Sequence, residues 1–315
     1  MQWKTKARIQ NAVALLPSKL SYATYYWLQR HVGDLRKMDP IPKFKAGMEI
    51  WKYIQSLDIE PIGKTFFEVG TGRVPLVPLS FWLMGADRTI TTDLNPYLKV
   101  ELLKESLDYI YEHEEAVRAL FGPLLNQSRL AALFRLYKRD RFSIDSFFDL
   151  CQIKYCAPSD ATQTRLGKSS VDFHTSLNVL EHIPPDVVVG LLEEGARIIS
   201  EDGLFIHRID YSDHFSHSDS SISALNFLQY SDFEWNKYAD NRYMYMNRLR
   251  HDDFLSIFNA ARHEILMECP SVDPELKELL LAKELSLDEK YAAKPMEVLS
   301  IVNAWIISSS NLKKA

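Results

Sequence analysis

The amino-acid sequence predicts an α/β fold, and three observations carry that prediction. The 315 residues are 46% apolar and 25% charged, enough to bury a full core as one large domain or one domain with additions. Short β-prone runs alternate with stretches of helical period along most of the chain. One stretch organises the rest: Thr65-Phe66-Phe67-Glu68-Val69 suits a buried strand, Gly70-Thr71-Gly72 a tight turn, and Pro75 the first turn of a helix whose buried side is Leu76, Leu79, Phe81, Trp82 and Leu83. Gly85 ends that helix, and Thr89-Ile90-Thr91-Thr92 then delivers Asp93 at a strand's carboxyl end, 21 residues after Gly72.

The chemistry of that stretch follows from its residue types. A turn without side chains lets the backbone approach a ligand closely, and an acid at the second strand's end accepts hydrogen bonds from ribose hydroxyls. Overall charge excludes other classes: 37 basic and 42 acidic residues give −5, no general footprint for nucleic acid or an anionic membrane, although local patches are compatible with it. Cys151, Cys156 and Cys269 are sparse and lack zinc-type pairing, which points to a reduced compartment and a cytoplasmic protein. The apolar run 12–16 is too short for a signal segment, and no stretch reaches transmembrane length.

Residues 1–60 read as a helical N-terminal extension or cap. Ile9, Val13, Leu16, Leu20, Tyr25, Leu28 and Val32 recur at helical spacing around a break at Pro17. Asp39-Pro40-Ile41-Pro42 precedes a second helix through Met48, Trp51 and Ile54. Tyr22, Tyr25, Tyr26 and Trp27 call for a protein partner, so packing against the core is the first reading. A basic amphipathic helix also suits peripheral contact with a membrane surface.

The run Glu68-x-Gly70-x-Gly72 followed by Asp93 resembles the first motif and the acidic strand end of class I S-adenosylmethionine (SAM)-dependent methyltransferases. It departs from the dinucleotide fingerprint, which has Gly or Ala where this chain has Pro75, and from the usual methyltransferase motif, which has a further glycine where Val74 stands. The resemblance implies that Glu68, Gly70, Thr71, Gly72, Asp93 and Leu94 hold the SAM cofactor. Ala157-Pro158-Ser159-Asp160-Ala161 follows the third predicted strand, where the family places an acid on the adenine amino group and a backbone amide on a ring nitrogen. That implies adenine contacts for Asp160 and Ala161; a turn-capping aspartate is the other reading. Ser176-Leu177-Asn178-Val179-Leu180-Glu181-His182-Ile183-Pro184 resembles the family's fourth motif, which implies that Asn178 and Val179 line the methionine half of the cofactor.

By this resemblance the domain spans 61–310 as a Rossmann-like seven-stranded, mostly parallel sheet with helices on both faces and an antiparallel last strand. Residues 94–150 are a helical insertion turning at Phe121-Gly122-Pro123, read either as a cover over the ligand or as a solvated helical pair. Later elements are a helix over 186–200, strands over 204–209, 264–268 and 298–307, and helices over 251–261 and 274–285.

Residues 210–223 crowd Asp210, Asp213, His214, His217 and Asp219 among serines. A metal site is one reading, but without supporting ligand spacing no metal is expected, and an acceptor-binding loop suits the serines better. His182 and His214 are the candidate general bases, because a neutral imidazole takes a proton near working pH; a hydrogen-bonded structural histidine is the alternative for each. Seven aromatic residues between 227 and 245 offer faces for a sugar or aromatic acceptor, and Arg248 or Arg250 offers a grip on an anion, unless either is ion-paired.

The expected activity is methylation of a small-molecule or saccharide hydroxyl. The whole chain looks similar to methyltransferases associated with bacterial surface-polysaccharide synthesis. Nucleic acid is disfavoured as acceptor, since the Asn/Asp-Pro-Pro-aromatic motif of amino methyltransferases is replaced by Ser176-Leu177-Asn178-Val179. Two alternatives stay open: an NAD(P)-dependent oxidoreductase, and a non-catalytic SAM-binding protein.

Overall fold

Seven strands pair into one sheet in the computed structural model, which describes residues 1–138 and 142–310. They are β1 (Thr65–Val69), β2 (Arg88–Thr92), β3 (Ile153–Cys156), β4 (Val171–Leu177), β5 (Ile199–Asp210), β6 (His263–Val272) and β7 (Ile301–Ser310), in the spatial order β3-β2-β1-β4-β5-β7-β6. β1 to β5 pair in parallel, and β7 runs antiparallel between β5 and β6. The sheet thus has the expected strand number and the expected antiparallel last strand.

Helices cover both faces because the inner strands alternate. Phe66 joins the core on one side and Phe67 the core on the other, as a period of two requires. The principal helices are α1 (Trp3–Ala14), α2 (Ser18–His31), α3 (Ile41–Ser56), α4 (Leu76–Met84), α5 (Val100–Glu112), α6 (Glu114–Phe121), α7 (Gln127–Tyr137), α8 (Ile144–Cys151), α9 (Pro185–Ile198), α10 (Asp232–Ala239), α11 (His251–Ala260) and α12 (Pro274–Leu281). α3 to α8 share the core of Phe66, Phe173 and Ile206, whereas α9 and α11 share that of Phe67, Phe205 and Ile209.

α3, grouped by its sequence position with the N-terminal extension, lies in the sheet's own helical layer. Phe44, Met48, Trp51 and Ile54 form one buried stripe, and Trp51 stacks on Phe66 with ring centroids 5.9 Å apart. α2 touches the edge of that layer, through Tyr26 and through Arg30 paired with Glu105 of α5. α1 buries Trp3, Ala7 and Val13; Trp3 stacks on Trp235 of α10 in a third core cluster. Its first amide, Trp3 N, donates to Asp219 Oδ2 at 2.7 Å, so a distant carboxylate caps the helix that its own N-terminal residue leaves uncapped.

The insertion is helical from Val100 onward; its first residues Leu94, Asn95 and Tyr97 line the ligand cleft described below, but its helices do not cover it. Leu103, Leu107 and Ile110 of α5, Val117 of α6, Leu130 and Leu133 of α7 and Phe147 of α8 are buried with α3 and α4. Arg129 donates to the carbonyls of Trp82 (2.7 Å) and Ala86 (2.6 Å), tying α7 to the end of α4. The insertion is a thickening of one core, because its apolar stripes are wide enough to be buried there. Within the expected insertion 94–150, residues 139–141 lie outside the described residues.

Three histidines are buried across the sheet: His174 on β4, His207 on β5 and His263 on β6. His174 lies between the rings of Phe67 (5.0 Å) and Phe205 (4.9 Å), and burial followed by the charge of His263 holds its pKa near about 3. Burial likewise holds His263 at about 4 and His207 well below the usual range. All three are therefore neutral in the fold at neutral pH, while the unfolded chain protonates them below the ordinary histidine value of 6.5. Stability must fall as pH drops from there toward the folded values, by on the order of 2 kcal/mol per histidine at pH 5. His174→Phe keeps the ring and removes one titration, so its urea midpoint should fall less than the parent's between pH 7 and pH 5. An equal fall in both proteins would contradict the burial account.

Candidate active site

The strand order reverses direction between β1 and β4, and in open α/β sheets ligands bind at such a switch, beyond the carboxyl ends of the strands. A cleft of about 670 Å³ lies there. Its floor is made by the turns after β1, β2, β3 and β4, which contribute Gly70 and Gly72, Asp93 and Leu94, Asp160 and Ala161, and Val179 and His182.

The glycine turn is held by its neighbour strand. Gly70 N donates to Thr92 O at 2.8 Å, and Gly72 N donates to Asp93 Oδ2 at 2.9 Å. Gly70 (φ 89°) requires its missing side chain twice over: an added Cβ would lie 2.4 Å from Val179 Cγ2. Gly72 (φ 68°) faces open space instead, the room that a ligand needs above it. Burial raises the Asp93 pKa, while the amides of Gly72, Asn95 and Leu94 pull it back down. Asp93 is a half-buried acceptor with room left on its carboxylate.

Glu68 and Thr71 do not line the cleft. They are buried beneath the turn in a chain of hydroxyls: Thr71 Oγ1 lies 2.6 Å from Thr91 Oγ1, which donates to Glu68 Oε2 at 2.5 Å. Burial pushes Glu68 up to about 8, with Thr91 and Lys43 opposing. Asn178 is also absent from the lining; it adopts a left-handed conformation (φ 56°) that turns the chain out of β4, and its Oδ1 is buried without a partner. Asp160 lines the cleft, yet its Oδ1 accepts from Thr162 N and Thr162 Oγ1, both at 2.8 Å. It caps its own turn with one oxygen, so the two sequence readings are compatible.

The end of α4 discriminates between ligands. Pro75 is its N-cap, Leu76 N is engaged with Val74 O at 2.9 Å, and Pro78 has no amide hydrogen. The first turn thus has little left to offer a phosphate, whereas dinucleotide sites rest the pyrophosphate there.

At the other end of the cleft His182 lines the wall; His214, which does not line it, meets His182 edge to face with centroids 4.9 Å apart. His182 Nδ1 lies 2.8 Å from Tyr245 O, which only an N–H can satisfy, so Nε2 carries the free lone pair. Burial and then His214 lower the His182 pKa to about 4, with the Tyr245 carbonyl and Asp210 opposing. His214 Nε2 lies 3.5 Å from Asp210 Oδ2; burial pushes Asp210 up, but His214 and Ser212 together hold it at about 2, ionised. Glu181 is buried behind the pair, with a carboxyl raised well above its ordinary range by burial. Ligand atoms of Glu181, His182 and His214 all lie within 4.8 Å of one another, a set that sequence reasoning did not assemble.

Other carboxylates of 210–223 are spent on the loop itself. Asp213 accepts from Phe215 N (2.8 Å) and Asn226 Nδ2 (2.7 Å), and Asp219 from Trp3 and Ser221. The two arginines expected to grip an anion are structural. Arg250 is fully buried and donates to the carbonyls of Tyr211, Leu299 and Ile301, with burial lowering its pKa to about 10; Arg248 donates to Phe227 O, Tyr230 O and Asp232. Buried carbonyls without other donors claimed them.

Arg242 lines the cleft instead. Around it, Met244 and Met246 are buried while Tyr243 and Tyr245 line the cleft, on a turn in which Met244 N and Tyr245 N both donate to Asn241 O. Tyr25 and Gln29 of α2 close the opposite wall, Tyr25 stacking on Tyr243 at 3.9 Å. Arg73 is held between the rings of Tyr26 and Tyr97 and donates to Gln29 Oε1 at 2.8 Å. The aromatic runs were visible in the sequence; their convergence was not.

No family model matches the chain, and no curated protein matches it in sequence. Solved structures do. A SAM-dependent methyltransferase from Clostridium acetobutylicum matches at 11% identity and a TM-score of 0.44, covering 91% of this chain and 98% of that one. One from Methanosarcina mazei matches at 12% and 0.43, covering 82% and 96%. The magnesium protoporphyrin IX methyltransferase of Synechocystis with bound S-adenosylhomocysteine (SAH) matches at 10% and 0.43, covering 85% and 83%.

The raised Glu68 carboxyl has a measurable consequence. Its folded pKa of about 8 exceeds the ordinary 4.5, so the stability it permits is complete below pH 4.5 and is lost as pH rises toward 8. Glu68→Gln removes that loss. In urea unfolding, its advantage over the parent should grow by on the order of 2 kcal/mol between pH 5.5 and pH 7.5. A difference independent of pH would show that Glu68 is ionised in the fold.

Proposed function

We propose that this chain is a SAM-dependent methyltransferase acting on a hydroxyl of a small molecule or saccharide. The observation that carries the reading is the half-buried Asp93, set at the end of β2 against the Gly72 amide, beside a helix end that proline has stripped of phosphate-binding amides. That combination suits a ribose without a pyrophosphate. The order of the three sequence motifs along the chain supports it.

When bound, SAM would supply a methyl on a cationic sulfur for transfer to the acceptor oxygen, with a neutral thioether as the leaving group. The protein's part is alignment, worth ~7–11 kcal/mol for two reactants held in line. In this reading Gly70, Gly72 and Leu94 shape the donor's cleft, Asp93 takes the ribose hydroxyls, Asp160 and Ala161 the adenine, and Val179 the methionine end. Glu68, Thr71 and Asn178 act from beneath, holding the turns in place.

The acceptor's proton goes to the histidine pair. His182, which lines the cleft with its Nε2 lone pair free, is the preferred base, and His214, 3.5 Å from the ionised Asp210, is the second. Tyr243 and Tyr245 offer faces to a sugar or phenol, and Arg242 a charge. A nicotinamide-dependent oxidoreductase is disfavoured by the blocked α4 terminus, and a non-catalytic SAM-binding protein would leave the histidine pair without a task.

Calorimetric titration with SAH and with NADH tests the donor. SAH should bind and lose ~1.5–3 kcal/mol in Asp93→Ala, the cost of a charged hydrogen bond. Binding of NADH alone would sink the methyltransferase reading. For the base, His182→Ala should lower turnover by at least ~10²-fold with SAH affinity retained. Unchanged turnover in both His214→Ala and His182→Ala would remove the base assignment.

A further inference from the structure

We infer that α1 and α2 form a docking surface for an anionic lipid membrane. Charge is segregated in this chain: residues 1–38 carry seven Lys and Arg against the single acid Asp34, a net +6, while the whole chain carries −5, leaving −11 for residues 39–315. An anionic surface therefore attracts one end of the protein and repels the remainder, which fixes orientation as well as affinity.

The same end exposes apolar side chains. Leu15, at the end of α1, is 88% exposed, and on α2 Leu20 and Trp27 are 54% and 55% exposed. Leu20, Ala23 and Trp27 fall at i, i+3 and i+7, so they form one outward stripe, with exposed Lys19 beside it, exposed Arg8 on α1 and exposed Lys37 beyond α2. α2 buries only Ser21 fully. Its other side carries Tyr25 and Gln29 to the cleft, so a single helix stands between cleft and outward stripe.

Lysine and arginine among exposed leucine and tryptophan match the headgroup zone of a bilayer, phosphates for the cations and acyl carbons for the apolar tips. A nucleic acid would use the cations and leave Leu15 and Leu20 in water. No helix among the described residues is long and apolar enough to cross a membrane, so the contact is lateral, not spanning. Of the seven, Arg30 is paired with Glu105, Lys6 bonds Ser218, Lys4 lies over the Trp3 ring and Arg36 donates to Gly33 O, which leaves Arg8, Lys19 and Lys37 as the main contributors.

The test is co-sedimentation of the full chain with vesicles of phosphatidylcholine alone and of phosphatidylcholine with phosphatidylglycerol added. The protein should sediment with the second and not the first, and added salt should release it. Arg8→Glu/Lys19→Glu/Lys37→Glu should weaken the partition at least ~tenfold, by the usual contribution of each basic residue near an anionic surface. Leu20→Asp should weaken it too, and circular dichroism melting should report parental folding in both variants. A parent that stays in the supernatant with both vesicles, or sediments equally with both, overturns the inference without recourse to any variant. Undiminished binding of a folded Leu20→Asp protein overturns it in favour of a general polyanion site. None of these outcomes depends on which ligand fills the cleft.

Discussion

The double pairing of β1, with β2 on one edge and β4 on the other, constrains everything else in the site. A strand buried on both faces and paired on both edges can leave the sheet only at its end, and there Gly70 turns with no room for a side chain against Val179. The register that pairs Val69 with Thr92 also brings Gly70 N to Thr92 O, and the next residue of β2's exit is Asp93, whose carboxylate takes Gly72 N. Strand pairing thus fixes the acid and the glycine turn relative to one another before any ligand arrives. This is the preorganisation a binding site needs, because it leaves little ordering cost for the bound state.

The buried polar groups show what that constraint costs. Glu68 sits under the turn at a pKa near 8 and Glu181 behind the histidine pair with its carboxyl also raised, each by desolvation. Neither would be chosen for stability alone. Their hydrogen-bonding capacity lies beside the cleft, whereas Arg248 and Arg250, also buried, donate mainly to backbone carbonyls away from it. Burial by itself therefore does not mark a functional group here; burial next to the strand ends does.

Local features of the site were legible in the sequence. Strand, glycine turn, helix and terminal acid are consecutive, so the bond between Gly72 and Asp93 follows from residue order. The sheet was legible for the same reason, since each strand announces itself by its own apolar run. What was hidden depends on separation. Tyr25 and Gln29 reach the cleft from α2, more than 200 residues before Tyr243, and no local pattern says that these rings stack. α3 was grouped with the extension by its helical pattern and its position before β1, although its stripe of Phe44, Met48, Trp51 and Ile54 resembles that of any core helix. The arginines misled because sequence shows a guanidinium but not the carbonyls waiting for it.

The central claim is that the cleft between β1 and β4 holds a ribose-bearing donor on Asp93. A crystal structure of the protein grown with SAH tests it most directly. The account predicts ribose hydroxyls within hydrogen-bonding distance of the Asp93 carboxylate, the adenine beside Asp160 and Ala161, and the sulfur turned toward His182 and His214. Ligand density elsewhere, or in this cleft with Asp93 bonded to Gly72 and Asn95 alone, would contradict it.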